Sequence, residues 1–265
     1  MPQVDVNGIK VAYQVDGKEG APYLTLVTGI ANDLTMWDAQ VAELGKNFRI
    51  LRYDLRGHGD TQATEGDYSL DLLVNDLLGL LNELNIQKTH LLGLGLGGAL
   101  VQAFSISSSH RVNALIPCCC RAKMVPEFAA LWHKLREAVA KEGVEVIVEP
   151  TAQRWFSEEF KAAYPQEMHK VRNMIRGTTT LGYLGVTAAF LRLDIEARLA
   201  QIKAPTLYVS GAEDKVGGPP DLMAAPAKKV PGAQHRSIDK AAHIANIQNP
   251  ARFNVVVGDF LKRQI

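Results

Sequence analysis

The stretch His90-Leu91-Leu92-Gly93-Leu94-Gly95-Leu96-Gly97-Gly98-Ala99-Leu100 is an apolar run that turns glycine-dense and then helical in pattern. A strand that ends in a sharp, strained turn and passes straight into a helix exposes its apex residue. With serine at that apex, in the pattern G-x-S-x-G, the turn is a nucleophile elbow for acyl transfer. Gly93-Leu94-Gly95-Leu96-Gly97 fits at every position except the reactive one, where Gly95 stands instead of serine. The outer glycines keep a backbone task either way, because residues without a Cβ allow close approach and positive φ. Gly93, Gly95 and Gly98 also spell G-x-G-x-x-G, the loop that cradles a dinucleotide pyrophosphate. That loop belongs in a first βα unit with an acidic ribose partner about 20 residues on. Here it follows several strands, and Arg111-Val112-Asn113 occupies the expected stretch, so the elbow is the better reading.

The other reactive side chains are three consecutive cysteines, Cys118, Cys119 and Cys120. Their spacing fits neither a disulfide framework nor a zinc site, and no other metal-ligand or prosthetic-group pattern occurs, so no cofactor is expected. They close the strand beside the elbow, which leaves Cys119 or Cys120 as a surrogate nucleophile if its thiol faces the pocket. A buried cysteine is more often a small hydrophobe. Reduced cysteines, an N-terminus without a signal-peptide pattern and no run near the roughly 20 residues of a bilayer span predict a cytoplasmic protein. Lys and Arg number 29 against 28 Asp and Glu, with no block of like charge, which argues against nucleic acid and anionic membrane and for a small-molecule ligand. The oligomeric state stays open, a homodimer being one option.

The elements that must hold the elbow alternate. Val4 to Val6 and Lys10 to Val15 flank Asn7-Gly8, a type I′ hairpin signal, and predict an antiparallel sheet edge. Tyr23 to Val27 and Arg49 to Tyr53 are buried-strand runs with a helix expected over Leu34 to Leu44, a βαβ unit. Ser69 is a plausible N-cap for a helix whose Leu73, Leu77, Leu80, Leu81 and Leu84 share one face. After the elbow, a helix over Ala99 to Ile106 leads to a strand at Val112 to Ile116. From 123 to 203 the alternation gives way to helices, expected over Phe128 to Lys141, Pro165 to Arg176, Leu181 to Phe190 and Ile195 to Ile202. An insertion of this kind reads as a cap over the carboxyl ends of the strands, where open α/β sheets bind ligands. The sheet resumes at Pro205 to Gly211 and Gln234 to Ile238, and a helix over Phe253 to Leu261 closes the chain. The predicted division is a core of residues 1–122 and 204–265 with a cap of 123–203, one domain plus insertion at a length of 265 residues.

Asp33-Leu34-Thr35-Met36-Trp37, Leu51 through Gly59, the elbow, Arg154-Trp155-Phe156 and the sequences around Asp214 and His243 occur in an order that resembles the α/β-hydrolases, and within them the 3-oxoadipate enol-lactonase and carboxylesterase group. The resemblance runs over nearly the whole chain. It implies an eight-stranded, mostly parallel sheet flanked by helices and an esterase or lactonase reaction on a small carboxylic ester or enol-lactone. It places the acid at Asp214, with Glu213 as an alternative, the base at His243, and oxyanion-hole amides at Ile30 and Leu96. Thr28 takes the place of the histidine of the commoner His-Gly pair. The resemblance makes Leu55-Arg56-Gly57-His58-Gly59 a structural turn, with His58 outside the chemistry. Trp37, Trp132, Arg154, Trp155 and Tyr183 are candidate substrate contacts, with Phe156 and Phe190 as further roof residues and Arg176 as a second partner for a substrate carboxylate.

Gly95 qualifies the implied chemistry, since it has no atom that can attack and form an acyl-enzyme. Three readings follow: a serine-to-glycine variant of an esterase or lactonase with little serine-hydrolase activity, an enzyme using His243 and Asp214 as a general base on water or a substrate proton, or a non-catalytic binding protein that keeps the pocket.

Overall fold

A computed structural model describes residues 1–264. The strands and helices in chain order are β1 (Gln3–Val6), β2 (Ile9–Gly17), β3 (Tyr23–Val27), α1 (Asp38–Leu44), β4 (Arg49–Tyr53), α2 (Leu70–Glu83), β5 (Thr89–Leu94), α3 (Leu96–Ser107) and β6 (Val112–Cys118). There follow α4 (Pro126–Glu142), α5 (Glu145–Trp155), α6 (Glu158–Ala163), α7 (Pro165–Arg176), α8 (Thr180–Leu191), β7 (Leu207–Gly211), α9 (Pro220–Lys229), β8 (Gln234–Ile238), α10 (Ala245–Gln248) and α11 (Pro250–Leu261).

The strands form one eight-stranded sheet in the order β1-β2-β4-β3-β5-β6-β7-β8. The β1–β2 and β2–β4 pairs are antiparallel and all the others parallel, as the sequence pattern predicts. The hairpin turns at Asn7 and Gly8 with φ of 48° and 79°, the two positive values a type I′ turn demands. Central strands have both faces covered, so β5 is buried along its whole length and reads as an unbroken apolar run. Its two opening residues, Thr89 and His90, are the polar exceptions, and Thr89 shares a 2.9 Å hydroxyl hydrogen bond with Thr25 of the neighbouring β3.

On the flanks, Ser69 caps α2 by accepting from the Leu72 amide, and Leu73, Leu77, Leu80 and Leu81 are buried against the sheet. The helix expected over Leu34 to Leu44 is instead a 3₁₀ turn, Leu34–Trp37, followed by α1, because the Asp33 carboxylate caps the first turn by accepting from the Thr35 amide. The helix expected over Ile195 to Ile202 is likewise a 3₁₀ segment, Glu196–Gln201. Four helices were not signalled: α5 and α9, each interrupted in pattern by an internal proline, Pro150 and Pro226, and the short α6 and α10. Among the described residues no helix is long and apolar enough to cross a membrane.

The loop after β4 is fixed from within. Arg56 donates to both oxygens of Asp76 at 2.9 and 2.7 Å, a buried bidentate pair. His58 is wholly buried, and burial lowers its pKa to about 4, so it is a neutral packing residue at ordinary pH. Asp54 accepts from the Leu34 amide at 2.7 Å and the Asp60 amide at 3.0 Å, joining this loop to the one after β3. Burial raises its pKa to about 7 against the pull of those two amides, with Asp33 and Asp60 adding repulsion. The folded chain thus keeps a proton on Asp54 that the unfolded chain loses near pH 4. Its contribution to stability is full below that pH, falls as pH rises toward 7, and is flat beyond. Urea unfolding should show wild type losing roughly 3 kcal/mol more than Asp54→Asn between pH 5 and pH 8, from about 1.4 kcal/mol per pKa unit; equal losses would contradict it.

Candidate active site

Gly95 sits between β5 and α3 with φ 60° and ψ −123°. Its amide donates to the Cys118 carbonyl at 3.0 Å, which ties the turn to β6. The neighbouring glycines are there for closeness. A Cβ on Gly93 would lie 2.2 Å from the Gly97 carbonyl oxygen, and one on Gly97 2.4 Å from the carbonyl oxygens of Val27 and Thr28. Neither backbone can yield cheaply, so Gly97→Ala should cost about 1–3 kcal/mol or more by thermal melt, with unchanged stability as the contrary result. Gly95 differs. A Cβ there meets only Gly29 Cα at 3.8 Å and His243 Nε2 at 3.9 Å, ordinary contact distances.

His243 and Asp214 come from the loops after β8 and β7. His243 Nδ1 lies 3.0 Å from Asp214 Oδ2. The Asp214 carboxylate also accepts the amides of Val216 and Gly217 on Oδ1 at 2.7 and 3.1 Å, and that of Gly218 on Oδ2 at 2.9 Å. Burial pushes its pKa up, but the imidazole and these amides outweigh that and hold the carboxyl below its ordinary value. An ionised, acceptor-only partner places the imidazole proton on Nδ1 and leaves the lone pair of Nε2 toward Gly95. Glu213, the alternative acid, is exposed at the surface, so Asp214 is the imidazole's partner.

The amides of Ile30, in the loop after β3, and Leu96, at the first turn of α3, donate to no acceptor among the described residues. Both residues line the pocket that contains Gly95 and His243. The pocket therefore brings together an imidazole, the carboxylate that orients it and two backbone amides without an acceptor among the described residues.

The helical insertion supplies much of the remaining wall. Trp132, Arg154, Trp155, Tyr183 and Phe190 line the pocket, and Phe128 joins Trp132 and Phe190 in edge-on contacts with centroids 5.0–6.1 Å apart. Trp37 does not reach it. That side chain is fully buried in the core beneath the 3₁₀ turn, so its expected substrate contact is corrected to packing. Phe156 stacks on Phe160 instead of facing the pocket, and Arg176 lies at the surface paired with Glu145.

Asn32 and Arg121 were missed. Both line the pocket at the carboxyl ends of β3 and β6, the positions where open α/β sheets place ligand contacts. Arg121 lies 4.0 Å over the Phe128 ring and donates to the Val216 carbonyl at 3.4 Å. Neither Arg121 nor Arg154 has a carboxylate partner among the described residues, and the buried Nε of each has no acceptor. Cys119 and Cys120 also line the pocket, but burial raises both thiols well above their ordinary range, which removes the thiolate a surrogate nucleophile needs.

Hydrogen bonds couple the insertion to the base. The Trp155 carbonyl, at the end of α5, accepts the amides of His243 and Ile244 at 3.0 and 3.4 Å. Gln248 accepts the amides of Ala242 and Ser157 on one oxygen and donates to the Ser157 hydroxyl at 2.7 Å.

A sheet of this order with a turn, acid and histidine after β5, β7 and β8 defines a class: the chain belongs to the α/β-hydrolase family, whose sequence profile, described as the alpha/beta hydrolase fold, matches residues 22–250. Within that family it is similar to 3-oxoadipate enol-lactonase 1 of Acinetobacter baylyi, with 31% identity over 257 residues, 96% of this chain and 94% of that protein. The crystal structure of the enol-lactonase from Burkholderia xenovorans LB400 superposes with a TM-score of 0.94 at 31% identity, covering 98% of this chain and all of that one. A malate-bound thermophilic esterase from Thermogutta terrifontis gives 0.93 at 30% identity, covering 100% of this chain and 99% of that one. The chain is thus an esterase- and lactonase-like member of the family.

Proposed function

We propose that residues 123–203 cap a pocket for a small carboxylic ester or enol-lactone, and that this chain does not form an acyl-enzyme. What remains is slow hydrolysis in which His243 Nε2, oriented by Asp214, takes a proton from water as it attacks. The amides of Ile30 and Leu96 receive the carbonyl oxygen. The observation that carries this reading is the 3.9 Å from His243 Nε2 to the position of a Cβ on Gly95: the base faces the apex of the elbow, and the apex bears no nucleophile. Mass spectrometry after mixing with an activated ester tests it. No covalent adduct should accumulate, and His243→Ala should lower the residual turnover. An acylated protein, or turnover indifferent to His243, would overturn the reading.

Arg121 and Arg154, both without a carboxylate partner among the described residues, favour a ligand that carries one. A charge-assisted hydrogen bond is worth about 1.5–3 kcal/mol. Arg154→Met should therefore weaken binding of a small dicarboxylate by roughly 10- to 100-fold in calorimetry while leaving a neutral ester's affinity nearly unchanged; equal losses for both would count against it.

A further inference from the structure

We propose that this site catalyses a proton shift on unsaturated lactones: His243 Nε2 removes a proton from the carbon beside the lactone carbonyl, and the enolate oxygen is held by the amides of Ile30 and Leu96. The inference rests on the ester and lactone pocket proposed above, and extends it from attack on carbonyl carbon to proton transfer at the neighbouring carbon.

Three features of the site support this. His243 Nε2 lines the pocket, and among the described residues its single side-chain partner is Asp214, through Nδ1. A serine at residue 95 would engage the Nε2 lone pair with its hydroxyl. Glycine leaves that lone pair to the ligand, and a ligand atom resting against Gly95 would lie within reach of it. The donors that serve a tetrahedral oxyanion serve an enolate as well, since each needs N–H groups aimed at one oxygen that gains charge. Asn32, which also lines the pocket, keeps its buried side-chain NH₂ without an acceptor, a further donor on the same loop as Ile30. Leu96, Phe128, Trp132 and Trp155 give the same pocket apolar wall, with the Trp155 ring 6.5 Å from the imidazole between centroids, and apolar wall strengthens the amide-to-enolate hydrogen bonds. General-base hydrolysis must also seat a water between base and carbonyl carbon. Proton abstraction needs only the groups already there.

The step balances without a co-reactant. The C–H bond beside the carbonyl breaks, its proton goes to Nε2, its electron pair forms a C=C bond, and the carbonyl π pair moves onto the oxygen. In a lactone with a β,γ double bond the anion is a ring-delocalised furanolate. Return of the proton to the γ carbon gives the α,β-unsaturated isomer, and return of solvent deuterium to the α carbon gives exchange. The substrate class is therefore the five-membered enol-lactone.

α-Angelica lactone in D₂O, followed by proton NMR, separates the outcomes, because exchange, isomerisation to β-angelica lactone and hydrolysis to levulinate give distinct signals. The chain should accelerate exchange and isomerisation at least about 100-fold over His243→Ala, the lower end of general-base contributions. His243→Gln, with thermal melts of both variants, guards against loss of fold. Gly95→Ser should divert the same lactone to levulinate. Exchange no faster than in the folded His243 variants, with Gly95→Ser producing levulinate, overturns the proton shift alone. If Gly95→Ser yields no levulinate and the lactone does not bind, the lactone pocket itself fails.

Discussion

Gly95→Ser is expected to raise kcat/KM for a short activated ester by at least about 10³-fold and to introduce a burst of acyl-enzyme. Removal of a serine nucleophile from a working triad costs about 10⁶ in kcat, while the oxyanion hole and binding preserve some 10³–10⁴ over water. The reverse change should regain part of the same interval if the other groups are in place. A serine Cβ finds only 3.8 and 3.9 Å contacts, and the second is to His243 Nε2, so a hydroxyl one bond further out comes within hydrogen-bond reach of the base. The gain has a structural cost. At φ 60° and ψ −123° any residue with a Cβ is strained by about 1–3 kcal/mol, so the serine form should melt earlier than the glycine form. Stopped-flow release of the alcohol and a thermal melt on the same sample measure both effects. A serine variant that melts as expected but shows no burst would mean that the base and amides are not aligned for acyl transfer.

In that serine background, Asp214→Asn should lower kcat by about 10⁴, as expected when the orienting group no longer fixes the imidazole tautomer. Here the substitution has a second effect. Asp214 accepts three backbone amides and the imidazole on two oxygens, and an asparagine has a single acceptor oxygen. Leaving a buried amide unpaired costs about 1–3 kcal/mol, so stability falls along with rate. The pH dependence follows from the depressed carboxyl pKa. The stabilisation is full above the ordinary carboxylate range and is lost as pH falls through the lower folded value. Wild type and Asp214→Asn should thus converge in stability toward strongly acid pH, as read by chemical unfolding. A constant gap would assign the loss to shape rather than charge.

How much of this was legible depended on the kind of signal each residue carries. The elbow was visible because a Cβ on Gly93 or Gly97 would come within 2.2–2.4 Å of backbone carbonyl oxygens, which holds those two positions to glycine. Asp214 and His243 could be placed only through the order of motifs along the chain, since neither is marked by its neighbours. β3, β5 and β7 were plain because buried parallel strands read as largely apolar runs, whereas the polar edge strand β8 carries little such signal. The insertion was harder: Pro150 disguised α5, and that helix carries Arg154 and Trp155 into the pocket. Trp37 misled because an aromatic near a loop after a strand looks the same whether it faces a ligand or the core. Arg121 and Asn32 were overlooked because one arginine after a cysteine run, or one asparagine in a turn, carries no periodicity. Only the strand ends that bring them to one mouth give them a role.

The Trp155 carbonyl ties the helical insertion to the loop that carries the imidazole. It holds the amides of His243 and Ile244, and Gln248 clamps Ser157 to the same loop, so α5 and the base share one set of bonds. Lifting that helix to admit a bulky ligand would have to break those bonds and slacken the imidazole. α5 and the His243 loop are therefore held as one unit, and a displacement of either that broke these bonds would be felt by the other.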